Sequence, residues 1–356
     1  MAPVYVYRLV PRGPFHFGER GVGIEETADI FHSDSLFSAL CATVREGWGE
    51  ATLAGLLAAF RDAAEPPFRL SSCFPYAGDV LFFPRPMLSP GPLDPEAAKR
   101  LKQTRFVSRA LLAHWLAGEA LTAELDAANF LPESQAWLSR AERERLSPLL
   151  PPAGAEGVAR ALWWKGEVPR VTVDRCSAAS AVYRCGRLVF RADCGLYFLV
   201  EWRDTTYRDL VEEALAVLGD AGLGGRRSAG YGQFTPQPAQ ELDWPVPPAR
   251  EAAAAADALL TLALYWPTRD ELTAGVLDEP ARFDLIARHG WLASPDGPML
   301  RRREVRMIAE GSLLAPRAAV RGALAEVTPA GFTAHPVYRY GLAFPVSVRL
   351  AEESHG

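Results

Sequence analysis

The stretch from Leu218 to Phe234 carries the most suggestive spacing in this chain. Six glycines (Gly219, Gly222, Gly224, Gly225, Gly230 and Gly232) surround Arg226, Arg227, Ser228 and a lone aromatic, Tyr231. Glycine leaves backbone N–H groups uncovered and reaches positive φ without strain, so such a loop can press against an anionic backbone. The two arginines supply charge for phosphates, and the tyrosine supplies a face for stacking a base. The loop is no P-loop, because G-x-x-x-x-G-K-[ST] is absent. It is no dinucleotide fingerprint either, since G-x-G-x-x-G is not formed and the loop closes a helix instead of opening one. By itself it reads equally as a structural turn and as an anion site.

Two histidines and one arginine are the other candidates. His16 and His32 flank the first strand-loop-helix unit, and imidazoles near a scissile phosphate could cleave RNA by acid/base chemistry. His32 and Ser33 stand at a helix start, where an anion can bind, and Ser33 is the expected N-cap. Asp34 opposes this, because it repels phosphate and satisfies the helix dipole itself. In Thr172-Val173-Asp174-Arg175, Arg175 is either a backbone contact to a nucleic acid or half of a surface ion pair. H-E-x-x-H and G-x-S-x-G are missing, so no catalytic constellation, metal or cofactor is expected.

Composition narrows the classes. The 356 residues are 49% apolar and 23% charged, ordinary values for a soluble chain with one large or two medium domains. No run of eighteen apolar residues and no secretory leader is found, so a cytoplasmic protein away from membranes is expected. Five cysteines without a C-x-x-C pair point to reduced, buried thiols. The net charge of −5 argues against binding nucleic acid by bulk electrostatics but leaves room for a local basic groove. Basic residues do cluster, at Lys99, Arg100, Lys102, Arg105 and Arg109, and again at Arg301, Arg302, Arg303 and Arg306. Each cluster reads at least as readily as a solvated face.

The surrounding elements form an α+β pattern. Val4 to Val10 reads as a strand, and Leu36, Phe37, Leu40, Cys41, Val44 and Trp48 form a helical stripe closed by Gly47 and Gly49. Phe68 to Cys73 and Val80 to Phe83 read as a hairpin, with Pro75, Pro84 and Pro86 limiting regular pairing. The pattern loosens from about 90 to 170, and polar strand-like segments follow to Arg191. Gly195 to Trp202 is a buried strand, and a helix over 206–218 leads into the glycine-rich loop and a short strand ending at Phe234. Strand, helix, hairpin, insertion, strand, helix and strand in this order match a β-α-β-β-α-β ferredoxin-like unit. Prolines from Pro236 to Pro248 read as a linker, giving an N-terminal domain over 1–240 and a second over 250–356 that starts near Leu259.

Several blocks occurring in order then resemble one family. They are His32-Ser33-Asp34-Ser35-Leu36-Phe37, Ser71-Ser72-Cys73-Phe74-Pro75-Tyr76, Leu81-Phe82-Phe83-Pro84-Arg85-Pro86, Val171 to Arg175, Leu223 to Gly232, Glu310-Gly311-Ser312, and Pro336-Val337-Tyr338-Arg339-Tyr340-Gly341. Together they resemble the fourth subunit of the Csm complex, the type III-A CRISPR interference effector, in the RAMP superfamily. The resemblance spans nearly the whole chain. It implies two ferredoxin-like (RRM-like) domains with a thumb-like insertion at about 90–185 in the first. It implies a non-catalytic subunit of antiviral defence that caps the 5′ repeat-derived tag of the CRISPR RNA (crRNA). The implied partners are the large polymerase/cyclase-like subunit, the backbone RAMP subunit, and target RNA at the first guide position, where the thumb splays a base. The candidate RNA contacts are Gly224, Gly225, Arg226, Arg227, Ser228, Gly230, Tyr231, Gly232, His32, Ser33 and Arg175. RNP motifs are not recognisable, so RRM-type stacking is not expected. A crRNA-processing endoribonuclease using His16 or His32 and a purely structural adaptor are the competing readings.

Overall fold

The computed structural model describes residues 3–18, 26–62, 65–150, 161–173, 176, 180–243, 256–292, 300–317 and 319–350. Strand β1 (Val4–Pro11) is followed by α1 (Ser33–Trp48) and α2 (Glu50–Asp62). Gly49 ends α1 with φ 89, as its position implies, yet a second helix begins at the next residue. Leu56 and Phe60 of α2 are buried, and the Phe60 ring stands edge-on to Phe37 of α1 at 4.9 Å.

Three short strands follow, β2 (Phe68–Leu70), β3 (Phe74–Ala77) and β4 (Val80–Pro84). The hairpin lies between β3 and β4 and turns at Gly78, φ +53, whereas β2 pairs elsewhere. Pro75 and Pro84 are paired, opposite Leu196 and Phe106, while β4 ends at Pro84 and Pro86 lies beyond it. Residues after 90 then fold as α3 (Pro95–Gln103), β5 (Phe106–Ser108), α4 (Arg109–Leu116), β6 (Phe130–Leu131), β7 (Ala136–Trp137) and α5 (Arg140–Arg145). Asp94 caps α3 by accepting the Ala97 N–H at 2.7 Å, and a Ser139/Glu142 capping box starts α5. The 11-residue strands β8 (Trp163–Val173) and β9 (Ser180–Phe190) form one long antiparallel hairpin, whose outer end is exposed on both faces.

Strand β10 (Cys194–Trp202) is buried at every residue and is central to the sheet. Helix α6 (Arg208–Ala221), β11 (Phe234–Pro236) and β12 (Gln240–Glu241) complete the N-terminal part, with β11 beginning at the residue where the sequence implied a strand end. The ten-stranded sheet runs β11-β1-β10-β3-β4-β5-β7-β6, with β12 added on β1 and β2 on β10. The region after 90 therefore extends the main sheet before the long hairpin leaves it.

Residues 244–255, which include Pro245, Pro247 and Pro248 of the expected linker, lie outside the described residues, whereas the first part of that stretch is drawn into the sheet as the end of β11 and as β12. Beyond them come β13 (Ala258–Thr261), α7 (Arg269–Thr273), β14 (Leu285–Arg288), β15 (Val305–Ile308), β16 (Leu313–Leu314), β17 (Gly322–Glu326), β18 (Tyr338–Leu342) and β19 (Pro345–Val348). Of these, β18 packs on α1. Tyr340 of β18 is buried against Phe37 at 5.1 Å, and its hydroxyl accepts the Leu70 N–H at 2.8 Å. One hydrophobic core takes Leu260, Leu313, Tyr340 and Val346 together with Leu9, Phe37 and Phe198, so the two halves share their interior. The fold is mixed α+β. No cysteine is in a disulfide; Cys73, Cys185 and Cys194 are buried, but Cys176 is exposed.

Candidate nucleic-acid interface

The glycine-rich loop is built by close backbone approach. Gly222 closes α6 with φ 89 and donates its N–H to the Leu218 carbonyl at 2.7 Å. Buried Leu223 donates to Gly232 O at 2.9 Å, Gly232 donates to Pro14 O at 2.9 Å, and Gly225 donates to His16 O at 2.8 Å. A Cβ at Gly232 would lie 2.1 Å from Leu223 O, and one at Gly224 would lie 2.5 Å from His16 O. These glycines thus serve the protein's own packing, and the N–H groups of Gly222, Gly225 and Gly232 point inward. What remains turned outward is a 3-10 turn at Arg227–Ala229, with Arg227, Ser228 and Gly230 exposed and Arg226 half-buried at φ 59.

The segment after β1 clamps this loop to the long hairpin. Phe15 exchanges two backbone hydrogen bonds with Leu188 of β9, at 2.8 and 2.9 Å. The His16 imidazole lies with Nδ1 2.8 Å from Gly186 O. A carbonyl only accepts, so Nδ1 carries the proton. Buried His16 therefore joins loop and hairpin through its carbonyl and its ring. Two cation–π contacts reinforce the joint. The Arg226 guanidinium lies 5.3 Å from the Tyr183 ring centre, and the Arg170 guanidinium 5.8 Å from that of Tyr231. Arg170 and Tyr183 are direct cross-strand partners on β8 and β9. Tyr231 is 3% exposed, so the half-buried aromatic at this surface is Tyr183. Arg170 and Tyr183 went unnoticed in the sequence because only the register of the hairpin brings them to the loop.

His32 and Ser33 sit elsewhere, in a polar cluster between α1 and the C-terminal strands. His32, not Ser33, is the N-cap residue of α1, and its side chain makes no cap bond. His32 Nδ1 lies 2.8 Å from Glu310 Oε1, which also accepts from Ser72 Oγ. Ser33 Oγ accepts the Leu264 N–H at 3.1 Å. Burial alone would raise the Glu310 carboxyl, but His32 and the Ser72 hydroxyl hold it below its ordinary value. Asp34 is fully buried and accepts from Arg288 at 2.9 and 3.0 Å and from Arg339. Here too burial opposes ionisation, and the two guanidiniums win, holding Asp34 well below the carboxylate range. Burial pushes Arg302, beside this cluster, down to about 10, aided by Arg339. Arg175 lies outside the described residues. Among the described residues no cluster of His, Cys, Asp or Glu suits a metal ion, and no helix is long and apolar enough to cross a membrane.

A cleft of about 410 Å³ lies between these two regions. Phe17, Phe31, His32 and Ser35 line one side and Leu285 to Arg288 the other. Phe17 also touches the glycine-rich loop, since a Cβ on Gly224 would meet its ring at 2.8 Å.

Comparison with known proteins gives a consistent set of relatives. Residues 254–348 match the family model described as CRISPR Csm4 C-terminal domain. A curated protein of Thermococcus onnurineus, "CRISPR system Cms protein Csm4", is 28% identical over 97% of this chain and 96% of its own length. One of the same description from Mycobacterium tuberculosis is 27% identical over 95% of each chain. Among solved structures, a chain of the "Csm3-Csm4 subcomplex in the type III-A CRISPR-Cas interference complex" superimposes with TM-score 0.67. It is 18% identical, with 98% of this chain and 99% of that one covered. A chain of a "Csm1-Csm4 cassette in complex with pppApA" gives TM-score 0.58 at 22% identity, with the same coverage. At these identities the superpositions show a shared fold.

Proposed function

This chain belongs to the Csm4 family of CRISPR proteins, and from that premise we propose that it is the non-catalytic, RNA-binding subunit that holds the 5′ tag of the crRNA in a type III-A effector. The observation that carries the reading is the joint between loop and hairpin. His16, Arg170 and Tyr183 hold the loop rigidly from behind, and its outward turn offers Arg226, Arg227 and Ser228. A splayed single strand is met by such a combination of guanidiniums and an aromatic face.

The fold also supports the remaining parts of the reading. In the N-terminal part, strand order β11-β1-β10-β3 with α1 and α6 as crossovers supports a ferredoxin-like unit over 1–240. The second unit over 250–356 is proposed as a degenerate copy. At the end of the insertion expected at about 90–185, and running past it to Phe190, the β8–β9 hairpin is our choice for the thumb. Its outer half exposes Val171, Val173 and Val182, the last at 72%, and apolar side chains there would wedge between bases at the first guide position of the target duplex. Solved relatives whose descriptions pair Csm4 with Csm1 and with Csm3 support a large-subunit and a backbone-subunit partner for this chain. His16 donates to a carbonyl and His32 is paired with Glu310, an arrangement that supports structural roles for both over the nuclease reading.

The test replaces Arg226 and Arg227 together by alanine in the full chain. Tag RNA should bind about tenfold more weakly, and log K against log[salt] should flatten by about 1.4, the value for two single-strand phosphate contacts. Unchanged affinity and slope would remove RNA from this loop and favour the adaptor.

A further inference from the structure

The second basic cluster of the sequence has no part in the loop site. Arg301, Arg303 and Arg306 belong to the hairpin in which β14 pairs with β15, Leu285 opposite Ile308 and Ala287 opposite Arg306. An isolated bridge joins Trp291 to Arg301 beyond the paired strands. One face of this hairpin is buried: Leu292, Val305 and Leu300 pack with Val327, Phe332 and Val337. The opposite face carries Leu285, His289, Trp291, Arg301 and Arg306, all exposed. Trp291 keeps 54% of its surface in solvent, with the Arg301 guanidinium 5.1 Å from its ring centre. Among the described residues no carboxylate pairs with Arg301 or Arg306.

The charge of this face singles out its ligand. Between Leu285 and Ile308 the described residues include five arginines, of which Arg302 lies beside the Asp34 cluster, and one carboxylate, Glu304, in a chain of net charge −5. Arg288 is committed to Asp34, but Arg301, Arg303 and Arg306 are exposed. An exposed indole beside guanidiniums at strand spacing offers a stacking platform and phosphate contacts, the requirements of a single-stranded nucleic acid. The face is also continuous with the loop site. Phe17 stands against Gly224 at one end of the 410 Å³ cleft, and β14 forms the cleft's other wall.

The geometry points to a second single-stranded RNA contact on the outward face of the β14–β15 hairpin, occupied by the same guide strand that meets the glycine-rich loop. Trp291 stacks a base, and Arg301 and Arg306 hold the flanking phosphates. The identity of the strand rests on the proposed function, whereas the RNA-binding character of the face rests on Trp291 and the arginines.

The experiment uses the full chain and a labelled single-stranded guide RNA of about 20 nucleotides, with anisotropy read at two salt concentrations. Trp291→Ala should weaken binding about tenfold, and Trp291→Phe should retain it. Arg301→Ala with Arg306→Ala should lower the salt slope by about 1.4. These side chains are exposed, and unchanged thermal unfolding of the variants verifies that they fold. A duplex of the same sequence should compete poorly, since its bases are already stacked; equal competition would overturn the stacking contact. Wild-type affinity in the hairpin variants would overturn the inference. If Arg226→Ala with Arg227→Ala still weakened binding in that case, the loop reading would stand without it. Loss of the loop contact alone, with hairpin effects intact, would instead overturn the proposed function. With the loop saturated by guide, a second unrelated strand should not bind, and its binding would overturn the single-strand assignment. Trp291→Ala that leaves RNA affinity untouched but detaches the chain from its assembled complex would assign the face to a protein partner and overturn the inference.

Discussion

The guanidinium of Arg226 lies 5.3 Å from the centre of the Tyr183 ring, joining the glycine-rich loop to a hairpin strand some forty residues earlier in the chain. The contact fixes an arginine whose backbone already sits at φ 59, so its charge is held at one place on the surface. Tyr183→Ala is expected to weaken RNA binding by several-fold, while Tyr183→Phe, which keeps the π face, is expected to bind as the parent does. Fluorescence anisotropy with single-stranded RNA measures both.

The glycines of the loop should differ sharply in tolerance. At Gly224 and Gly232 a methyl group would meet His16 O and Leu223 O at 2.5 and 2.1 Å, on backbones of φ +82 and +83. At Gly230 the φ is +81 but nothing lies within 4 Å of a new Cβ. Gly230→Ala is therefore expected to cost about 1 kcal/mol, from backbone strain alone. Gly224→Ala and Gly232→Ala should each cost about 3 kcal/mol or more in urea unfolding, because backbone must move as well. Equal costs at all three would mean that the close approaches do not exist.

Acid should attack the joint between α1 and the C-terminal strands. Asp34 and Glu310 are held below the ordinary carboxylate value in the folded chain. Their stabilisation is present above the unfolded carboxylate pKa, near 4, and is lost as pH falls through the lower folded values. Unfolding midpoints followed below about pH 4 should drop, and Asp34→Asn should flatten part of that drop. At neutral pH, Asp34→Ala removes the buried carboxylate that Arg288 and Arg339 share and should cost about 3–5 kcal/mol.

The histidines separate a structural from a nucleolytic chain. His16→Ala removes the bond to Gly186 O, and His32→Ala removes one of the two partners of Glu310, so both should lower the melting temperature. Neither should change the rate at which the purified chain or its assembled complex cleaves RNA. An RNA cleavage activity lost in either variant would support the endoribonuclease reading.

Local patterns made much of this fold legible. The apolar run at β10 and the stripe of α1 announce themselves, because burial of a strand or a helix face leaves its period in the residues. The β8–β9 hairpin is harder to read, since its outer end is exposed on both faces and alternation there has no core to report. Ser33 looks like an N-cap by type, but its hydroxyl is engaged by Leu264, 231 positions away. The same holds for the loop. Its glycines suggest an anion cradle, yet several answer to His16 and Pro14, contacts over 200 residues apart that no local pattern encodes. Tyr231 was the visible aromatic and is buried; Tyr183 was the useful one and became evident only through strand register.

Photo-crosslinking tests the central claim most directly. The chain is assembled with its complex on a crRNA carrying a photoreactive base in the 5′ tag, and in parallel on one carrying it near the 3′ end. The account expects the tag probe to crosslink to peptides spanning Leu223 to Gly232, and the 3′ probe to leave this chain unlabelled. Labelling from the 3′ end alone, or tag crosslinks that never reach this chain, would contradict it.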